Sequence, residues 1–467
     1  MADYELNETG EVLVWIDPYI ETLTIPEGVK EIAVGCLDAN KYSVRPSKLK
    51  RVIFPSTLQT IDNFAFMDQP LMELDLSKCI KLTTIGESAF SDCEFEKVKL
   101  SPFLKTIYTN AFSKNHNLTE VVFPYNDLVL FEEVFAECYK LQKANLDNIV
   151  RMGRAAFRNC DLREVKIDKI IAIAPSVFEN NKNLISVILP NAVEFHEHAF
   201  LNCTSLKNIN LGKPAFLENE SFKNTGLETI NLDVTIAYAD AFAECKNLKD
   251  VHLEASTIFP KLFTNCKNLK NVYLNGKLVN GQYAINQFSN LDNLTLGPDT
   301  EIDTEGFGKL LDGANISTLN LYRTAETEFA PYIFKNITAG SLILSPAVTY
   351  IRPHAFKDCT ISNLIITGTD ITFRTNYTSK FKNIIFTAEN IKILEETFCA
   401  FASSNPENIF MNDKMIEEYM PYIKMHNCTM GSFPIPIPRP LSEYFKATGF
   451  RLENRINNLL MEDYKER

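Results

Sequence analysis

Apolar and polar residues alternate over short stretches along most of the chain, and the stretches recur at a nearly fixed interval. Frames of the form Leu-x-x-Val-x-Leu appear at Leu118/Val121/Phe123, Leu184/Val187/Leu189, Leu248/Val251/Leu253 and Leu269/Val272/Leu274. The last part of each frame alternates apolar, polar, apolar, the period of a half-buried strand. Pro124 and Pro190 follow two of these frames directly, and a residue with no N–H ends a strand. A second apolar position (Ile61, Ile85, Ile107) comes a few residues later and leads into an Ala-Phe pair or a relic of one.

Those pairs set the register. Phe66, Phe90, Phe112, Phe135, Phe157, Phe178, Phe200, Phe222, Phe242 and Phe263 are separated by 24, 22, 23, 22, 21, 22, 22, 20 and 21 residues. Weaker anchors follow at Phe288, Phe307, Phe334, Phe356 and Phe398, and Leu37 takes the place at the front. A unit this short holds one strand and cannot bury its own apolar edge, whereas stacked copies can. The pattern predicts a repeat solenoid of about seventeen turns, one short parallel strand per turn, with the phenylalanines stacked inside. At about 4.8 Å per turn the sheet would run roughly 80 Å.

The repeated segments resemble the BspA-like branch of the leucine-rich repeat family. Leu82-Thr-Thr-Ile-Gly-Glu-Ser-Ala-Phe-Ser-Asp-Cys93 and Tyr350-Ile-Arg-Pro-His-Ala-Phe-Lys-Asp-Cys359 carry the resemblance, which spans about residues 20–411. It implies a right-handed leucine-rich repeat coil with a curved parallel β-sheet, loops or 3-10 turns on the other faces, and short C-terminal helices. The role it implies is adhesion or protein recognition.

Composition then narrows the classes. The chain has 467 residues, 45% hydrophobic, with 33 Phe against one Trp and a net charge of −12. That charge argues against sequence-independent nucleic-acid binding, which needs a basic surface. The N-terminus has no basic start followed by an apolar run, and no stretch is long and apolar enough for a spanning helix. The expected locations are therefore cytoplasmic, non-classically surface-exposed or particle-associated, without membrane insertion.

Of the 11 cysteines, seven (Cys93, Cys138, Cys160, Cys203, Cys245, Cys266, Cys359) sit three residues after an anchor Phe. Elsewhere the same slot holds Asn115, Asn181 or Thr225. Neither a metal site nor a disulfide tolerates that interchange, so the slot reads as a small side chain satisfying a local backbone group, with the thiols reduced. No metal or cofactor is expected.

Strand register assigns two outward residues per frame. The first column begins Arg51, Glu73, Lys97, Glu120, Lys143, Glu164, a charge ladder of alternating sign. After Ser186 it turns into uncharged amides and hydroxyls: Asn208 and Asn210, Thr229 and Asn231, Asp250 and His252, Asn271 and Tyr273, Asn293 and Thr295, Thr318 and Asn320. Amides both donate and accept, so Asn208, Asn210, Asn231, Asp250, His252, Asn271, Tyr273, Asn293 and Asn320 form the candidate patch for a protein or glycan. Farther on the column regains apolar positions, Ile343, Ile365 and Ile385, expected as an exposed row that meets a cap or partner.

The ends divide off. Residues 1–19 read as a cap hairpin, 20–411 as the solenoid, 412–431 as a capping helix, 432–440 as a Pro-rich spacer and 441–467 as an amphipathic helical tail. In that tail Leu452, Ile456, Leu459, Leu460 and Tyr464 fall on one helical face, which predicts docking onto the solenoid, onto a partner or onto a sister chain. Gly306-Phe-Gly308-Lys309 lacks phosphate-loop spacing. His196-Glu-His198 reads as repeat surface, since His198 fills the position of Ser88, Asn110 and His354. The chain thus reads as a non-enzymatic recognition or adhesion module. The alternative is a structural or decorating component of a larger assembly, such as a virion or surface particle, attached through its tail.

Overall fold

The computed structural model describes residues 3–37, 47–259, 261–278, 290–300, 311–373, 379–388, 392–393, 406–418, 439–440 and 442–443. The chain forms two compact units, Met1–Leu248 with Leu262–Asn268, and Lys249–Lys261 with Leu269–Arg467. Each is a stack of coils joined by parallel strand pairing, a β-solenoid.

In the first unit every coil contributes to three ladders. The first is the frame strand, in strict register: Val98 pairs with Val121, and Val121 with Ala144. The second is a parallel ladder at the second apolar position, where Ile32, Ile61, Ile85, Ile107 and Leu130 align. Most coils here therefore hold two short strands, not the single one expected, and at Thr229–Ala237 the two positions join in one strand of 9 residues. The third ladder runs through the Ala-Phe turn, and it replaces the expected 3-10 turns. Residues two before and two after each anchor Phe are left-handed, as at Phe64 (φ 58°) and Asp68 (φ 57°), then Ser88 (50°) and Asp92 (55°). A 3-10 turn has negative φ throughout. The left-handed kinks turn alternate N–H groups toward the next coil: Phe64 donates to Glu87 O (2.8 Å), Phe66 to Ala89 O (2.8 Å) and Asp68 to Ser91 O (2.9 Å). Left-handed backbone costs a non-glycine residue about 1–2 kcal/mol, and Asn and Asp tolerate it best. They fill these positions repeatedly, at Asp92, Asn110, Asn159, Asn180, Asn202 and Asn224.

The anchor rings lie inside. Phe66, Phe90, Phe112, Phe135, Phe157, Phe178, Phe200, Phe222 and Phe242 are fully buried. Successive rings stack, Phe66 on Phe90 at 5.3 Å and 3°, through to Phe242 on Phe263 at 6.0 Å. In the second unit Phe334 stacks on Phe356 at 5.0 Å. Anchors Phe288, Phe307 and Phe398 lie outside the described residues.

The slot three residues on has a defined partner. Cys93, Cys138, Cys160 and Cys203 donate to the carbonyls of Phe66, Phe112, Phe135 and Phe178, the anchors one coil earlier, at 3.1–3.3 Å. Asn115 and Asn181 make the same bond to Phe90 and Phe157 at 2.8 Å. A thiol, an amide and, at Ser379 with Phe356 O, a hydroxyl interchange because each supplies one donor to one buried carbonyl. The nine described cysteines are all free and buried.

The ends are closed differently. Tyr4–Leu6 pairs antiparallel with Val12–Ile16, which pairs in parallel with Glu31–Ile32. Asn7 Oδ1 accepts from the N–H groups of Glu11 and Val12 and so holds the hairpin turn. In the second unit the frame strands lengthen to 8 residues at Asn271–Leu278 and 7 at Lys380–Phe386. A short helix, 413–418, follows Asn408–Met411. Asn412 Oδ1 caps it, accepting from Met415 N–H at 2.9 Å. Arg439–Pro440 then pairs in parallel with Phe410–Met411, so the end of the Pro-rich stretch is an edge strand, a place where proline is tolerated. Leu452, Ile456, Leu459, Leu460 and Tyr464 lie outside the described residues.

Two predictions follow from the slot. Asn181 also accepts from Leu162 N–H, so Asn181→Ala strands several buried groups and should cost about 3 kcal/mol in urea denaturation. Asn181→Cys should cost less, because a thiol restores the donor. Burial pushes the thiols of Cys36, Cys138 and Cys359 up to about 12, against about 8.5 in an unfolded chain. The unfolded state therefore loses these protons first. The contribution to stability is full below about pH 8 and declines as pH rises from about 9 towards 12, measurable as a falling denaturation midpoint.

Candidate functional site

The candidate patch divides between the two units. In the first, Asn208 and Asn210 alternate outward on Asn208–Leu211, opposite Ser186 and Ile188 of the preceding coil, and both are exposed. Asn231 is exposed on Thr229–Ala237. The charge ladder of the earlier coils is present as exposed pairs, Arg51 with Glu73 and Lys97 with Glu120, each at 3.6 Å. Pairs this exposed contribute under about 1 kcal/mol each.

In the second unit the register brings two columns side by side. The first runs Asp250, Asn271, Asn293, Thr318, and the second runs His252, Tyr273, Thr295, Asn320. The amides of the first column are used among themselves. Asn271 Nδ2 donates to Asp250 Oδ1 and Asn293 Nδ2 to Asn271 Oδ1, both at 2.7 Å. Every rung points the same way, so the carboxylate of Asp250, which can only accept, ends the ladder. In the second column His252 and Tyr273 stack at 4.2 Å and 9°. Glu254 Oε1 lies 3.4 Å from His252 Nε2.

Beyond Thr295 the face is closed. Thr318 and Asn320 are buried, and Asn320 Oδ1 is taken by Tyr322 N–H at 3.0 Å, so Asn320 does not present an amide to a ligand. Nor is the apolar row open. Ile343, Ile365 and Ile385 align with Phe410 in the outward column, yet they are 2%, 0% and 0% exposed. Together these four side chains make a packed cluster with Tyr322 against it, the arrangement that removes their apolar surface from water. The first column continues beside them as a second amide ladder, Asn408 to Asn383 to Asn363 at 2.9 Å per rung. Sequence reasoning missed that ladder, although Asn recurs at the same place in Asn363-Leu-Ile-Ile, Asn383-Ile-Ile-Phe and Asn408-Ile-Phe-Met.

The model of the BspA type leucine rich repeat region matches residues 37–162, 132–249, 215–336 and 327–438. The chain belongs to the BspA-type leucine-rich repeat family. No curated protein matches it. Among solved structures, a leucine-rich repeat protein from Bacteroides ovatus is similar, with 21% identity over 55% of this chain and 79% of that one, TM-score 0.37. The pneumococcal vaccine antigen PcpA is similar at 16% identity over 66% and 89%, TM-score 0.41. A leucine-rich repeat protein of T. pallidum is similar at 18% identity over 57% and 86%, TM-score 0.23.

BspA-type repeats are commonly protein-recognition or surface-adhesion modules and generally not enzymes. No group of three or more His, Cys, Asp or Glu side chains among the described residues could hold a metal. His196 and His198 each meet carboxylates instead: Glu218 lies 3.2 Å from His196 Nδ1, and Glu220 3.2 Å from His198 Nε2. His198 is one of the left-handed positions of the repeat, as are Ser88, Asn110 and His354. Gly306, Gly308 and Lys309 lie outside the described residues. Among the described residues no helix is long and apolar enough to cross a membrane. Asn271→Ala removes the middle rung of the exposed ladder and should lower stability by about 1 kcal/mol in urea titration.

Proposed function

We propose that the chain is a non-enzymatic recognition module, and that its second unit binds a polar segment of a protein partner through Asp250, His252, Asn271, Tyr273 and Asn293. The His252–Tyr273 stack carries this reading. The two rings lie nearly parallel at 4.2 Å, so each covers one face of the other and takes it out of use for stacking on a sugar. A protein edge rich in backbone N–H and C=O is served by ring-edge and amide groups. Asn271 spends one N–H and one lone pair in the ladder, leaving a second of each for a ligand. The side chains are held by their neighbours before binding, which lowers the entropy lost when a partner docks.

The full chain and its His252→Ala/Tyr273→Ala variant should be probed on arrays of purified proteins and of glycans. Binding to a protein, weakened about tenfold or more by the double substitution, is the expected outcome. Binding to glycans alone, or protein binding that the double substitution leaves unchanged, overturns the reading.

A further inference from the structure

We propose that Cys245 and Cys266 form a modification site, a buried thiol pair in successive coils that a peroxide converts to a disulfide. Both occupy the slot three residues after an anchor, Phe242 and Phe263, whose rings stack at 6.0 Å and 16°. The backbones beside them are tied, Phe242 N–H to Leu262 O at 3.1 Å and Glu244 N–H to Thr264 O at 2.7 Å. Same-slot residues of coils stacked this way stand about 5 Å apart at Cα, inside the window of about 4.4–6.8 Å that a disulfide needs. The two thiols lie parallel, Cys245 donating to Phe222 O at 3.3 Å and Cys266 to Phe242 O at 3.2 Å.

The repeat contains its own control. Among the described slot positions, Cys138 and Cys160 are the other pair of cysteines one coil apart, and their anchors stack at 5.4 Å. The difference is Thr225, whose Oγ1 lies 3.2 Å from Cys245 Sγ. The S–H of Cys245 is spent on Phe222 O, so the Thr225 hydroxyl is the donor in that contact, and a hydrogen bond to the sulfur favours a thiolate there. Cys138 has no such hydroxyl and is pushed up to about 12 by burial. The thiolate is the form that attacks peroxide.

The reaction closes without another reagent. The Cys245 thiolate attacks one peroxide oxygen, the O–O bond breaks and hydroxide leaves, giving a sulfenic acid. Cys266 sulfur then attacks Cys245 sulfur, the S–O bond breaks, and the thiol proton leaves with the second hydroxide. Two thiols and one hydrogen peroxide become one disulfide and two waters. The bond fastens Leu262–Asn268 to the coil of Cys245 within the first unit.

The test treats the full chain with hydrogen peroxide, blocks remaining thiols with N-ethylmaleimide under denaturing conditions, and maps the digest by mass spectrometry. A joined peptide pair containing Cys245 and Cys266, two hydrogens lighter than the free thiols, should accumulate before any pair joined through Cys138 and Cys160. Thr225→Ala should slow it about threefold or more. Cys266→Ser keeps a slot donor, as Ser379 does for Phe356 O, and should abolish the pair while leaving a Cys245 sulfenic acid that dimedone traps. Exposed Met67 and Met72 report the oxidant dose. Sulfoxide at both with Cys245 and Cys266 still alkylated, or a Cys138–Cys160 pair forming as fast, overturns the proposal.

Discussion

The carbonyl of each anchor phenylalanine governs the repeat. It lies in a dry interior, where an unpaired carbonyl costs about 1–3 kcal/mol. The carbonyls beside it are taken by backbone N–H groups of the preceding coil, as Ala89 O and Ser91 O are by Phe66 and Asp68, and in several coils it accepts at longer range from the slot N–H of its own coil, as Phe135 O does from Cys138 at 3.3 Å. A side chain of the next coil supplies the further donor. Cys93 does so for Phe66 and Asn115 for Phe90. Once that donor is fixed three residues after the next ring, the next ring is fixed as well. The ring stack, the left-handed flanks and this bond share one spacing, that of a coil of about 22 residues.

What the sequence showed plainly was whatever recurs at a fixed distance from phenylalanine. The frame strands, the buried rings and the non-disulfide role of the slot could be read because apolar periodicity and residue interchange are visible without coordinates. The left-handed flanks were written just as often, as Asp92, Asn110, Asn159 and Asn180, but in a chain rich in Asn they did not stand out. The second ladder at Ile61 and Ile85 was legible only as apolar spacing, since two residues are too few to show a period. Long-range contact was least legible. Nothing local to Ile343, Ile365 or Ile385 says that the outward column is buried there.

The same limit applied to the candidate site. Listing outward residues gave the correct columns in the second unit, since register in a parallel stack is set by the repeat itself. It did not give what the side chains do for one another. Asn271 and Asn293 looked like unspent donors and turned out to be rungs whose common direction ends at Asp250. Asn320 has the same chemistry one column over and is spent on Tyr322. The column position of a residue follows from sequence, but its availability depends on neighbours one coil away.

The two polar ladders of the second unit also explain how one column serves two surroundings. Around Asn271 the rungs are exposed and bond mainly to one another, beside the half-buried His252–Tyr273 stack. Around Asn383 the rungs are half-buried beside Ile365 and Ile385, which have no exposure. An amide left unpaired there would carry a desolvation penalty that an amide at the open face escapes. Asn363 accordingly takes two acceptors in the preceding coil, Gly340 O and Ser341 Oγ, where Asn271 takes Asp250. The apolar second column packs with Tyr322 against it, and its polar neighbour is satisfied within the stack. The second column at His252 and Tyr273 is itself polar at its ring edges, and burial there carries no comparable requirement on the amides beside it.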